Sequence, residues 1–85
     1  MIVARIVGGA ALSGLIKRSF SLAGHRTSVA LEAPFWTVLL RVAQGRGESL
    51  SALVASVDAS RAHDQPLASA LRVMALLANQ GGSAD

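Results

Sequence analysis

From Thr27 to Leu31 the side chains alternate: Thr27, Val29 and Leu31 fall on one face of an extended segment, Arg26, Ser28 and Ala30 on the other. The first face is apolar at its centre, while the second carries a guanidinium, a hydroxyl and a methyl. This pattern predicts one short strand over residues 25–31, running directly into a helix start. A lone strand leaves its backbone groups unpaired, and even a two-stranded ribbon is marginal by itself in water. It needs a partner, and two are available. One is residues 18–22, where Phe20 and Leu22 alternate with Ser19 and Ser21 before Ala23-Gly24 breaks the run. The other is the same strand in a second chain.

Beyond the strand the period changes from two to 3.6. Glu32 or Ala33 opens a helix with Pro34 in its first turn, where a missing N–H does no harm. Phe35, Val38, Leu39 and Val42 recur at i, i+3, i+4 and i+7 and mark the core face. Trp36, Leu40 and Ala43 widen that stripe beyond the needs of one small domain, which suggests a partner surface. Gly45-Arg46-Gly47 ends the helix, with either glycine able to take a left-handed cap. Ser49 is a good N-cap for a second helix whose apolar face is Leu50, Leu53, Val54 and Val57. Asp64-Gln65-Pro66 signals a third start, followed by Leu67, Ala70, Leu71, Met74 and Leu77 or Ala78. Arg72 points away from that stripe and is expected to bond a helix end or an acid such as Asp58. Residues 80–85 are polar and expected to be a flexible tail.

A chain of 85 residues is one small domain. At that length folding buries only about 60–65% of the unfolded surface, so stability is marginal without further support. With no cysteine there is neither a disulfide nor a thiolate metal site. Oligomerisation is the remaining remedy. An apolar fraction of 52% against 15% charged residues fits a chain that hides surface in a partner, as a homodimer or a higher oligomer.

The formal charge is +3. Arg5, Lys17, Arg18, Arg26 and Arg41 crowd the first half, where Glu32 is the sole acid, an asymmetry that permits nucleic-acid binding. Residues 1–16 are apolar. Ile2, Val3, Ile6 and Val7, then Ala11, Leu12, Leu15 and Ile16, hint at helical spacing that Gly8-Gly9 interrupts. The run is too short and broken to span a membrane. Ser21-Leu22-Ala23 has the look of a leader cleavage site, yet Lys17-Arg18 stands between it and the apolar run. A mobile tail, an added oligomer contact or an upstream start are the readings of this segment, and a cytoplasmic location is expected. His63-Asp64 lacks a third ligand at suitable spacing, so no metal is expected, nor any cofactor. The scattered serines, the two histidines and Asp58 or Asp64 form no nucleophile–base–orienter set, and no catalysis is expected.

The order strand, helix, glycine turn, capped helix, further helix goes with a set of local motifs. They are Lys17-Arg18-Ser19, Gly24-His25-Arg26-Thr27-Ser28, Leu31-Glu32, Phe35-Trp36, Gly47-x-Ser49-Leu50, Leu53-Val54 and Ser69-Ala70-Leu71-Arg72-Val73. Together they resemble the ribbon-helix-helix DNA-binding domains of the Arc and MetJ type, in a bacterial subfamily with a third C-terminal helix. The resemblance runs from Lys17 to about Leu77. It implies a mainly α fold with one short β-strand per chain. Two chains would intertwine as a dimer, their strands forming an intermolecular antiparallel ribbon, with the extra helix added at the C-terminus. The domain would be residues 17–79, between the apolar segment 1–16 and the tail 80–85.

By the same resemblance the ribbon enters the major groove of double-stranded DNA, and the protein acts as a transcriptional regulator. Arg26, Ser28 and Ala30 would meet base edges: Arg26 a guanine, Ser28 an adaptable acceptor or donor, Ala30 a thymine methyl. Ser49, Leu50 and Ser51 at the start of the second helix would hold a phosphate, with Lys17, Arg18 and His25 adding contacts. Val29, Leu31, Phe35, Trp36, Leu39, Leu53 and Val54 would form the dimer core. Members of the wider family present two or three long polar readers on the strand, whereas this one presents Arg26 alone. A second reading follows from that face and from the apolar start: a dimerisation or protein-interaction module, antitoxin-like or adaptor, gripping a protein partner through its termini.

Overall fold

A computed structural model describes residues 14–84, the last four as backbone only; most of the apolar start, residues 1–13, and Asp85 lie outside it. Strand β1 (Leu15–Leu22) and strand β2 (His25–Glu32) are joined by Ala23-Gly24 alone. Both connecting residues take positive φ, 49° at Ala23 and 85° at Gly24, as the tightest hairpin turns require. Glycine adopts this freely, while the alanine pays roughly 1–2 kcal/mol for its left-handed backbone.

The strands pair antiparallel, with Lys17 opposite Ala30, Ser19 opposite Ser28, Phe20 opposite Thr27 and Ser21 opposite Arg26. The ribbon therefore closes within one chain. In place of one short strand seeking its copy, the chain supplies two strands of eight residues, because Leu15, Ile16 and Lys17 extend the alternation of residues 18–22 far enough to match β2. Among the described residues no third strand lies on the far edge of β2.

Helix α1 (Ala33–Gly45) follows β2 without a loop: Glu32 is extended backbone at its N-cap, and Pro34 lies in its first turn. Its end is closed by the Glu48 N–H, which donates to the Ala43 carbonyl at 3.0 Å, while Gly47 turns the chain at φ 68°. Helix α2 (Leu50–Ser60) is capped by Ser49, whose Oγ accepts from the Ala52 N–H at 3.0 Å. Helix α3 (Leu67–Ala84) carries on past Asn79 through Gly81-Gly82 to Ala84.

The inner face of the sheet, Phe20, Leu22, Val29 and Leu31, packs with Trp36, Leu39 and Ala43 of α1, Leu53, Val54 and Val57 of α2, and Ala70, Leu71 and Ala75 of α3. Leu31, Leu39, Leu53, Val54 and Leu71 are 0% exposed, each worth about 1.5–3 kcal/mol of burial. The Trp36 Nε1–H donates to the Ile16 carbonyl at 2.8 Å and so pins the start of β1 to α1. Of the side chains expected to need a second chain, Val29, Leu31, Trp36, Leu39, Leu53 and Val54 are buried inside this one, and Phe35 is half-buried. β1 and α3 supply the cover that a partner was expected to give. Among the described residues the large apolar side chains left outside are Leu15, Ile16, Leu40, Val73, Leu76 and Leu77. Among the described residues no helix is long and apolar enough to cross a membrane.

Candidate nucleic-acid interface

Alternation along two paired strands gives the sheet an inner and an outer face. Outward go Arg26, Ser28 and Ala30, as their period implied, together with Lys17, Ser19 and Ser21 from β1. All six are exposed except Ala30, which is half-buried. At the centre the hydroxyls of Ser19 and Ser28 lie 3.0 Å apart in a hydrogen bond. Arg26 stands across from Ser21 towards the turn, and Lys17 across from Ala30 at the other end. The face is thus a serine-floored strip with a cation near each end. Ion pairs take up Arg46, Arg61 and Arg72, but Lys17 and Arg26 have no acid partner among the described residues. Ser19 and Ser21 were not foreseen as part of this face, although their alternation with Phe20 and Leu22 is plain. Once residues 18–22 pair with β2, both serines become neighbours of Ser28 and Arg26.

The other expected phosphate contacts separate. Arg18 alternates with Phe20 and Leu22 and so comes out on the core side, its guanidinium 5.4 Å over the Trp36 ring. A cation–π contact of this kind is worth about 0.5–1 kcal/mol at an exposed position. It sets Arg18 on the opposite side of the sheet from Arg26. His25 is exposed beside the hairpin turn and does not reach Glu32, whose carboxylate is occupied. Arg72 donates to Glu32 Oε1 twice, through Nε at 3.1 Å and Nη2 at 3.0 Å. This arginine finds Glu32 rather than Asp58, which instead accepts from Arg61 Nε at 2.8 Å. A backbone hydrogen bond, and after it the Arg72 guanidinium, hold the Glu32 carboxyl below its ordinary value.

Ser49, Leu50 and Ser51 come together at the start of α2, which packs against β1. The first N–H groups of a helix have no partner within it, and no acidic side chain lies in this first turn to neutralise the positive end of the dipole. Among the described residues no three histidine, aspartate or glutamate side chains gather as a metal set.

An antiparallel ribbon followed by a helix, a glycine turn, a serine-capped helix and one further helix defines a class of small regulatory domain. The model of the ribbon-helix-helix domain family matches residues 15–78, and the chain belongs to that family. Its members are generally DNA-binding transcription regulators or antitoxins, regulatory modules and not enzymes. No curated protein and no solved structure matches the chain.

Proposed function

We propose that the protein binds double-stranded DNA through the outer face of its ribbon and regulates transcription. The observation that carries this reading is the strip Lys17, Ser19, Ser21, Arg26, Ser28 and Ala30, polar and turned away from a core that the rest of the chain completes. A β-ribbon fits the major groove. Arg26 pairs with guanine O6 and N7, Ser28 adapts to either partner, and Ala30 packs on a thymine methyl. Lys17 and His25 contact phosphates from the two ends of the ribbon, and the Leu50 and Ser51 N–H groups bind another. Arg18 joins them only by leaving Trp36. The reader is a homodimer. Each copy lays its own two-stranded ribbon in the groove, so that Arg26 is repeated on both half-sites.

Genome-wide occupancy of the tagged protein tests this. Discrete sites, lost in Arg26→Ala at equal protein level, are expected. Occupancy without preference, or sites unchanged by the substitution, would reject the assigned face.

A protein-interaction role of the antitoxin or adaptor kind is the second reading, favoured by Val73 and Leu77, which α3 leaves 47% and 62% exposed. It expects a co-purifying protein that Leu77→Ser releases; a partner that stays bound after that change and after removal of both termini counts against it.

A further inference from the structure

Three cross-strand pairs make up the outer face of the ribbon: Lys17 with Ala30, Ser19 with Ser28, and Ser21 with Arg26. The middle pair is tied together by its own hydrogen bond. The Ser19 and Ser28 hydroxyls lie 3.0 Å apart, and both residues are exposed. A serine hydroxyl has one proton to give and two lone pairs to accept with. In the pair one serine spends its proton on the other, so outward it offers lone pairs alone, while its neighbour keeps a free proton. Whichever of the two donates, the pair presents one acceptor and one donor side by side. Ser21 and Ala30, on opposite sides of the pair, are short as well, so the backbone can come close to a base edge.

We infer, on the footing of the DNA-binding role proposed above, that Ser19 and Ser28 act as one unit and that the base they read is adenine. In the major groove adenine shows an acceptor, N7, beside a donor, the N6 amino group. Guanine shows two acceptors, cytosine one donor, and thymine one acceptor beside a methyl. Against adenine the pair makes two bonds and keeps its own. Against guanine a second bond forms only by breaking the one between Ser19 and Ser28, and cytosine and thymine each engage a single hydroxyl. Adenine therefore leads every other base by one hydrogen bond, about 2- to 12-fold in affinity. Two hydroxyls on neighbouring strands do here what one asparagine or glutamine carboxamide does for adenine. Ser28 without Ser19 has no such preference, because a free hydroxyl turns to donate or accept as the base demands. Ser19 is thus a specificity-determining residue, and β1 brings it to the face that β2 alone was expected to form.

The test is selection of duplexes from a randomised pool by the full-length protein, followed by fluorescence anisotropy on single-base variants of the selected duplex. An adenine should be specified about one or two base steps from the guanine that Arg26 holds, since the two cross-strand pairs lie about 7 Å apart along the strand. Guanine in place of that adenine should weaken binding several-fold. So should 7-deazaadenine, which lacks the N7 acceptor, and purine, which lacks the N6 amino group. Ser19→Ala should erase most of the difference between the adenine and guanine duplexes. Ser19→Thr, which restores the hydroxyl, should recover it. Circular dichroism should match the native protein in both variants, the position being exposed. No adenine at that position, indifference to 7-deazaadenine, or a preference that Ser19→Ala leaves unchanged would overturn the inference while Arg26-dependent binding stands. If no duplex is selected at all, the DNA-binding role falls and the adenine assignment falls with it.

Discussion

Glu32 holds the end of the ribbon to the third helix, since its carboxylate accepts both Nε and Nη2 of Arg72. Its folded-state pKa lies below the ordinary 4.5. As pH falls the unfolded chain therefore takes up the proton first. The stabilisation is complete above 4.5 and disappears as pH drops through the folded value. Urea unfolding between pH 6 and pH 3 should show a steeper acid loss in the native protein than in Glu32→Gln, with the two curves converging at the acid end. At Trp36, 2% exposed, the expectation is more severe. Trp36→Asp places a carboxylate among Phe20, Leu39 and Leu53 and should abolish the cooperative thermal transition. Trp36→Phe keeps an aromatic ring in the core but loses the bond to the Ile16 carbonyl, about 0.5–1.5 kcal/mol, and adds the cost of a small cavity, so it should fold with a lowered thermal midpoint. Ser49→Ala should cost about 1 kcal/mol through the lost cap, read as a lower urea midpoint.

The helices were legible in the pattern because each carries its own punctuation. Pro34, Ser49 and Pro66 mark starts, and Gly45-Arg46-Gly47 marks one end. The ribbon was half legible. Thr27, Val29 and Leu31 gave the inward face of β2, but the partner was ambiguous. Alternation states which residues share a face and is silent on which strand lies alongside. The deciding feature is the two-residue turn. Ala23-Gly24 is a weaker hairpin signal than Asn-Gly, since alanine resists positive φ. Ala23→Asn should for that reason stabilise the hairpin by up to about 1 kcal/mol, raising the thermal midpoint. Gly24→Val, at φ 85° with nothing within 4 Å of an added Cβ, should destabilise it through backbone strain and not through a clash. The candidate site suffered from the same ambiguity. Arg26, Ser28 and Ala30 were readable from β2 alone, whereas Ser19 and Ser21 joined them only when the strands were in register. The direction of Arg18 also became clear only then.

At the scale of the whole molecule, one chain builds a core that was expected to need two. Helix α3 packs on α1 and the sheet and helps close that core. The protein's remaining business is at its surfaces, and the basic strip on the outer face of the sheet is the one suited to a polyanion. Binding there should weaken with salt, the log–log slope falling by about 0.9 for each phosphate contact removed, as in Lys17→Ala. The most direct test is the affinity of native and Arg26→Ala protein for the duplex occupied in the cell, measured by fluorescence anisotropy at fixed salt. Circular dichroism and sedimentation should be unchanged between the two. Loss of the preference for that duplex over a scrambled one, with fold and assembly intact, is the expected result. Equal affinity and equal preference in the two proteins would contradict recognition through this face.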